Sequence, residues 1–438
     1  MKYKNEMKFT PQKYFYSLLL LFLLSFIPLL SLHGKPIIGY TYSYLFSSVI
    51  FIFISFYIVK NFLSKSEIFA LIFLAVILRL AFITLQPIGS DDYYRYIWDG
   101  KVETYGINPY RYAPDDSALT YLHSDDLPKY VNYPKMKTIY PPLSQAIFFI
   151  AYLSTKEGYL GLKIYQLLFE ILTLSGLLLI LKKLNLPSKN IFLYLLAPIP
   201  IFQLFIDAHV DGFGLSFFLF SIYFYLDKKK LLSYIFLGLS ICIKPLGVIL
   251  IPIYFFDEKI LLNRIKSVII PISICALLYI PFIFSGTPFQ ALIKFTENWA
   301  FNGVVFNILD SFIHDNQKTR IVCSLLLLST YLPIILSKKN LLDKIYFSVI
   351  FLFIFSPIVH PWYLTWLTIL LPIVPYRSGI VYIGLISLTV FTVLNFQLSG
   401  VWKEYTWILF LEYTPVIIFL FYELISKSML NSKIDNNY

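Results

Sequence analysis

The run Ser90-Asp91-Asp92-Tyr93-Tyr94-Arg95-Tyr96-Ile97-Trp98-Asp99-Gly100 holds the densest chemistry in the chain, a few residues after an apolar stretch ends at Leu85. Acids this close to lipid are costly and tend to be functional. The run reads as a helix capped by Ser90 or Asp91. On that helix Asp91, Arg95 and Asp99 fall four apart on one face. Tyr93, Tyr94, Ile97 and Trp98 suit a membrane–water boundary. Asp91 or Asp92 has the chemistry of a general base that takes a proton from a hydroxyl. Two close carboxylates repel and one is held at a raised pKa, whereas Arg95 favours ionising both. The same spacing describes a solvated helix start with an Asp cap and an ion pair, a common and weak surface feature. Spacing alone weighs the two readings evenly.

Further polar residues gather in short breaks between apolar blocks. Asn108 and Pro109 mark a turn, flanked by Tyr110, Arg111 and Tyr112, which suit a sugar or an interface. Tyr140-Pro141-Pro142-Leu143 stops one element and starts the next, and both segments also read as plain loop punctuation. Asp207, His209 and Asp211 alternate, and alternate residues point together only in an extended segment, so helix caps compete with metal ligands here. Asp91 and Asp92 carry the oxygen ligands a hard divalent cation takes, yet no metal or other cofactor is expected to be required. His360-Pro361-Trp362-Tyr363, Glu297-Asn298-Trp299 and Asn302 form later polar breaks. Lys244 precedes Pro245 inside an apolar segment. A buried lysine is expensive, so it faces a cavity or an anion such as a lipid phosphate, unless it snorkels from a helix end. Arg95, Lys101 and Arg111 are the other candidate cations. The expected binding set is Arg95, Asp99, Asn108, Tyr110, Arg111, Tyr140, Asp207, His209, Asp211, Lys244, His360 and Trp362, around Asp91 and Asp92 as catalytic residues.

The elements that position these residues are membrane helices. Of 438 residues, 58% are hydrophobic and 14% charged, against about 25% charged in a soluble domain. Blocks 14–32, 42–60, 68–85 and 160–181 each approach the ~20 residues that cross a bilayer. The first is too long for a signal-peptide core and is expected to stay as an anchor. The net charge of +11 does not imply nucleic acid, because its lysines sit in short loops between apolar blocks. Cys242, Cys275 and Cys323 lie inside such blocks and form neither a disulfide framework nor a metal spacing. Lys2, Lys4, Lys8 and Lys13 put the N-terminus in the cytoplasm, and the charge pattern then keeps Lys60, Lys65, Lys182, Lys183, Lys228–Lys230, Lys427 and Lys433 inside. For segments 143–154 and 231–256, the second broken at Lys244-Pro245, charge favours entering and returning over crossing. The expectation is an all-α integral membrane protein of about 12 spans, one polytopic domain over 1–438. It has an outer catalytic loop at 86–142 and a second outer loop at 286–319. No nucleotide-binding loop appears.

Taken together, Ser90 to Gly100, Asn108-Pro109-Tyr110, Tyr140-Pro141-Pro142-Leu143, Lys244-Pro245 and His360-Pro361-Trp362-Tyr363 resemble the GT-C class of membrane glycosyltransferases. The nearest likeness is to its mannosyltransferase-like branch, grouped with the glycosyltransferase 87 family. The resemblance implies a multi-span helical bundle whose first large outer loop carries juxtamembrane helices and, at its start, the catalytic Asp, here Asp91 or Asp92. One departure is visible: more than one span precedes the acid-bearing loop, where the minimal module has one. The implied reaction moves a hexose, mannose foremost, from a polyprenyl-phosphate carrier to a hydroxyl of a glycan or glycolipid, with inversion, at the outer face of the cytoplasmic membrane. A transporter or lipid-linked-glycan flippase is the alternative, since broken helices and intramembrane charge suit that class too. A catalytically inactive assembly subunit is a third.

Overall fold

The structure, a computed structural model, describes residues 11–30 and 35–426. Lys2, Lys4, Lys8, Lys427 and Lys433 lie outside the described residues. The protein is 74% helical, and no strand forms among the described residues. It is a multi-pass membrane protein. Seven helices are long and apolar enough to cross a bilayer: Gln12–Leu30, Pro36–Lys60, Leu160–Lys183, Leu261–Ile283, Asn316–Leu336, Arg377–Ser399 and Thr406–Ile425. The pair Ser188–Leu195 and Pro200–Ile206, bent by 62°, is a broken eighth span or a re-entrant loop. Pro198 and Pro200 cause the break by removing backbone donors. Approaching twelve spans requires counting shorter apolar helices such as Asp211–Leu226.

Local rules explain the starts. Pro36 opens α2 (Pro36–Lys60), which follows α1 (Pro11–Leu24), at a position where a missing N–H costs nothing. Ser64 and Glu67 make a reciprocal capping box for α3 (Lys65–Phe82). The loop after α3 carries α4 (Asp92–Thr104) and leads to α5 (Pro142–Thr155). α5 does not leave this end of the bundle. Glu157, just beyond it, pairs with Lys101 of α4, and the Tyr159 hydroxyl donates to Thr84 O at 2.8 Å as α6 (Leu160–Lys183) begins. After α6 come the short α7 (Phe192–Leu195), α8 (Asp211–Leu226) and α9 (Lys230–Ile241).

The segment 231–256 is a broken hairpin, as the charge pattern predicts. α9 stops before Lys244, the chain turns at Pro245, and α10 (Leu250–Asp257) returns. Its two ends meet: Lys230 Nζ lies 2.8 Å from Glu258 Oε1, and the Tyr234 hydroxyl donates to the same carboxylate at 3.0 Å. Lys244 is thereby carried to the hairpin tip, away from the lysine-rich end. Beyond it run α11 (Leu261–Ile283), α12 (Gln290–Asn298), α13 (Val304–Ile313), α14 (Asn316–Leu336) and α15 (Leu341–Phe355). The one-turn α16 (Thr365–Thr368), α17 (Arg377–Leu385), α18 (Val390–Ser399) and α19 (Thr406–Ile425) complete the bundle.

One buried ion pair joins α3 to α6. Arg79 of α3 donates from Nε to Glu170 of α6 at 2.8 Å and from a terminal nitrogen to Leu195 O at 2.8 Å, with both side chains buried. Removing one partner of such a pair strands the other charge. Glu170→Ala is expected to cost about 3–5 kcal/mol, seen as a lower unfolding midpoint in detergent. An Arg79→Leu, Glu170→Leu double variant should recover most of it. A single variant as stable as wild type would contradict this.

Candidate active site

Asp207 fastens the entrance of the 86–142 loop. Its carboxylate accepts the Ile88 and Gly89 N–H groups at 3.0 and 2.8 Å and the Tyr40 hydroxyl of α2 at 2.5 Å. Gly89 is required there, since a Cβ would stand 2.5 Å from the Tyr40 hydroxyl. Ser90 Oγ then accepts the Asp92 N–H at 3.2 Å. Ser90 thus serves the helix start and Asp91 does not, which leaves the Asp91 carboxylate to accept from the Asn132 side-chain amide. Asp91 does not join Arg95 and Asp99. Those two pair with each other at 2.9 Å, and Asp99 also accepts from Gln145 of α5 at 3.2 Å.

Tyr93, Ile97 and Trp98 do not lie against the membrane boundary. They are buried in a small core of their own with Leu119, Leu122, Leu127 and Phe148. The loop supplies apolar residues that the helix pattern alone does not reveal, and they cover the face that would otherwise seek lipid. α4 and α5 touch at Gly100, where a Cβ would come within 2.3 Å of Phe148 O.

Across the cavity stands Lys244. Its ammonium donates to Asp211 Oδ2 at 3.0 Å and sits 4.4 Å from the centre of the Tyr363 ring. Asp211 is fully buried and also accepts from Trp366 Nε1 at 3.0 Å. His209 is likewise fully buried, stacked on Trp362 with ring centres 3.8 Å apart, its Nδ1 3.6 Å from Asp92 Oδ2. One cavity of about 1200 Å³ holds Asp91, Asp92, Arg95, Tyr140, Lys244, His360 and Trp362 on its wall. Its polar lining includes Asn132 and Lys137, and its larger apolar lining includes Val248, Pro252, Leu327, Tyr331, Phe353 and Val393, here called the apolar trough.

Burial and the Asp91 charge push the Asp92 carboxyl up to about 7, against the lowering pull of Lys244. Asp91 touches solvent at the mouth, yet the protein around it desolvates the carboxyl and raises its pKa. Burial and Lys244 press His360 down to about 3, and burial holds His209 well below the usual imidazole range. Both imidazoles are neutral at physiological pH.

Seven of the expected residues therefore share the cavity. Asp99, Asp207, His209 and Asp211 stand behind its wall, each tied to a protein partner. Asp207, His209 and Asp211 point to Tyr40, Trp362 and Lys244 respectively. Among the described residues no three His, Cys, Asp or Glu side chains group as metal ligands. Asn108 and Arg111 line a second cavity of about 880 Å³ instead. Tyr110 is buried and donates to Tyr140 O at 2.5 Å, bracing the wall between the two cavities. Lys101 is taken by Glu157. Asn132, Phe301 and Trp402 are cavity residues the sequence reading did not select. Asn132 lies 41 residues from Asp91, with no spacing signal to join them.

An all-α, multi-span bundle with paired acids at the start of its first long loop fits a GT-C mannosyltransferase-like protein. The family model for the alpha-(1->6)-mannopyranosyltransferase N-terminal domain, the MptA_B family, matches residues 27–256, just over half of the chain, and the protein belongs to that family. No curated protein matches the chain. The matched stretch contains Asp91, Asp92 and Lys244; His360 and Trp362 lie beyond it.

The packing at Gly100 gives a test of how the site is held. Gly100→Ala forces α4 off α5 at a backbone oxygen that cannot rotate away, an overpacking cost of about 1–3 kcal/mol. Hydrogen exchange should quicken across residues 92–155 while the long helices keep their protection. Unchanged exchange there would refute the close contact as the device that seats α4.

Proposed function

We propose that the protein transfers mannose from a polyprenyl-phosphate carrier to a hydroxyl of a glycan or glycolipid acceptor at the outer face of the cytoplasmic membrane. Family membership supports the sugar and the reaction class. One observation supports the carrier: the acids and Lys244 line the same cavity as a set of apolar side chains large enough to cover a lipid chain. A lipid phosphate beside Lys244 would leave its isoprenoid chain along Val248, Leu327 and Phe353. The charge pattern supports the orientation, since Lys60, Lys65, Lys182, Lys183 and Lys228–Lys230 cluster away from the acid-bearing loop.

The two carboxylates have different environments and, in this mechanism, different roles. Asp91 stands at the wet mouth, aimed by Asn132, and takes the proton of the acceptor hydroxyl. The acceptor oxygen bonds to the anomeric carbon, the bond from that carbon to the phosphate oxygen breaks, and its electron pair leaves with the phosphate. One displacement inverts the centre. Lys244 offsets the growing phosphate charge. Asp92, pushed up to about 7, holds a proton below that pH and shares it with the phosphate. No divalent cation is needed for these steps.

Asp91→Asn should lower kcat by about 10²–10⁴-fold in a transfer assay with labelled polyprenyl-phosphate mannose. Wild-type rate in that variant removes the base assignment, and a rate abolished by chelator removes the metal-free mechanism. The pH dependence of kcat/KM follows from the shifts. Activity needs Asp91 ionised, so it rises with pH through a pKa above the ordinary carboxylate range. It needs Asp92 protonated, so it falls again above about 7. Asp92→Asn keeps a neutral donor and should lose the alkaline fall while keeping the acid limb. An alkaline limb that persists there would assign it to another group.

A further inference from the structure

A column of four rings runs along the cavity wall. Phe301 stacks on His360 with centres 4.7 Å apart, His360 on Trp362 at 4.2 Å, and Trp362 on His209 at 3.8 Å, all within 22° of parallel. His209 at its end lies 3.6 Å from Asp92. The rings come from three separated segments, so nothing local to any of them sets their register. The register enters at Asn302. Phe301 N–H donates to Pro357 O at 2.9 Å and Val359 N–H to Phe301 O at 2.8 Å, which ties the first ring to the strand-like approach of His360.

Asn302 is itself pinned from α19 and the segment just before it. Its N–H donates to Glu404 at 3.0 Å, and its side-chain amide donates to both Glu412 oxygens at 3.1 and 3.2 Å. Its carbonyl accepts the Tyr413 hydroxyl at 2.9 Å. Asn302 and Glu412 are both buried. Asn302 holds φ at 52°, in the left-handed region that side chains disfavour. Four bonds from residues 404–413 hold one strained residue, and none of the three partners, Glu404, Glu412 and Tyr413, lines the cavity. All of them lie outside the matched residues 27–256.

We infer that Glu412 and Asn302 are positioning residues for the transfer reaction, fixing the ring column so that His209 stays against Asp92. The inference rests on the proposed roles of the acidic pair. The column is a contiguous rigid path whose far end sets the surroundings of one carboxyl. A displacement of about 1 Å at a reacting group costs up to ~10²-fold.

Asn302→Gly removes the side-chain amide and leaves the left-handed backbone free of strain. Two measurements separate the outcomes. The first needs no activity: imidazole acylation by diethyl pyrocarbonate, read residue by residue by mass spectrometry. His209 and His360 should be protected in wild type and label about tenfold faster in Asn302→Gly and Glu412→Ala, while exposed His123 and His314 keep their rates. Glu412→Gln retains an oxygen to accept from Asn302 and should label like wild type. The second is kinetic: kcat should fall about 10- to 100-fold in Asn302→Gly with donor KM unchanged. In a His209→Ala background the same change should have little further effect. Unchanged labelling, or faster labelling at all four histidines, overturns the inference. So does a loss that multiplies with that of His209→Ala. An active Asp91→Asn variant would instead sink the assignment of the base and leave the labelling result standing.

Discussion

The ion pair between Lys244 and Asp211 is the interaction on which the cavity depends. Non-helical backbone at membrane depth survives only where protein or a wet cavity surrounds it. The turn at Lys244 and Pro245 is such backbone, and it brings a charge with it. Asp211 meets that charge from the start of α8, with Trp366 holding the other carboxylate oxygen. Losing Asp211 would leave an ammonium in a mostly apolar interior, a cost of several kcal/mol. The hairpin tip therefore stays where it is because its charge is satisfied there. The same ammonium then faces the cavity that the acidic pair faces.

That arrangement explains why two carboxylates can stand side by side without cancelling each other's use. In water both would ionise near 4. Here desolvation acts on both, but Asp92 also feels Asp91, and its pKa climbs furthest. Lys244 limits the climb. The neutral imidazoles of His209 and His360 add no positive charge that would undo it. The site thus offers one carboxylate open to water, one carboxyl close to neutrality, and one ammonium on the wall of the same cavity.

Much of this was legible in the sequence. The apolar blocks gave the helical class, and lysine placement gave the returning segments around α5 and the α9–α10 hairpin, because charge cost is the same wherever the chain folds. Adjacent acids after an apolar block flagged Asp91 and Asp92, and a lysine inside an apolar segment flagged Lys244. The rest was not legible for identifiable reasons. Helix spacing put Asp91 with Arg95 and Asp99, but Asn132 competes for Asp91 from a loop position that no periodicity predicts. Tyr93, Ile97 and Trp98 have the composition of an interfacial face. Only the tertiary cover from Leu119 to Leu127 turns them inward. Alternation at Asp207, His209 and Asp211 set helix caps against shared ligation, and the chain reverses there and sends the three side chains to three different elements.

The matched family region alone would not close this cavity. Residues 27–256 supply the acids, Lys244 and the near wall. The trough needs Leu327 and Tyr331 of α14, Phe353 of α15 and Val393 of α18. The wall facing Asp92 needs His360 and Trp362. Charged groups act strongly only where water is excluded, so the later helices do more than cover lipid-facing surface. They complete the low-dielectric surroundings in which one carboxyl is pushed up to about 7 near an ammonium. A chain ending near residue 256 would keep the acids and Lys244 and lose the part of the lining that α14, α15, α18, His360 and Trp362 supply.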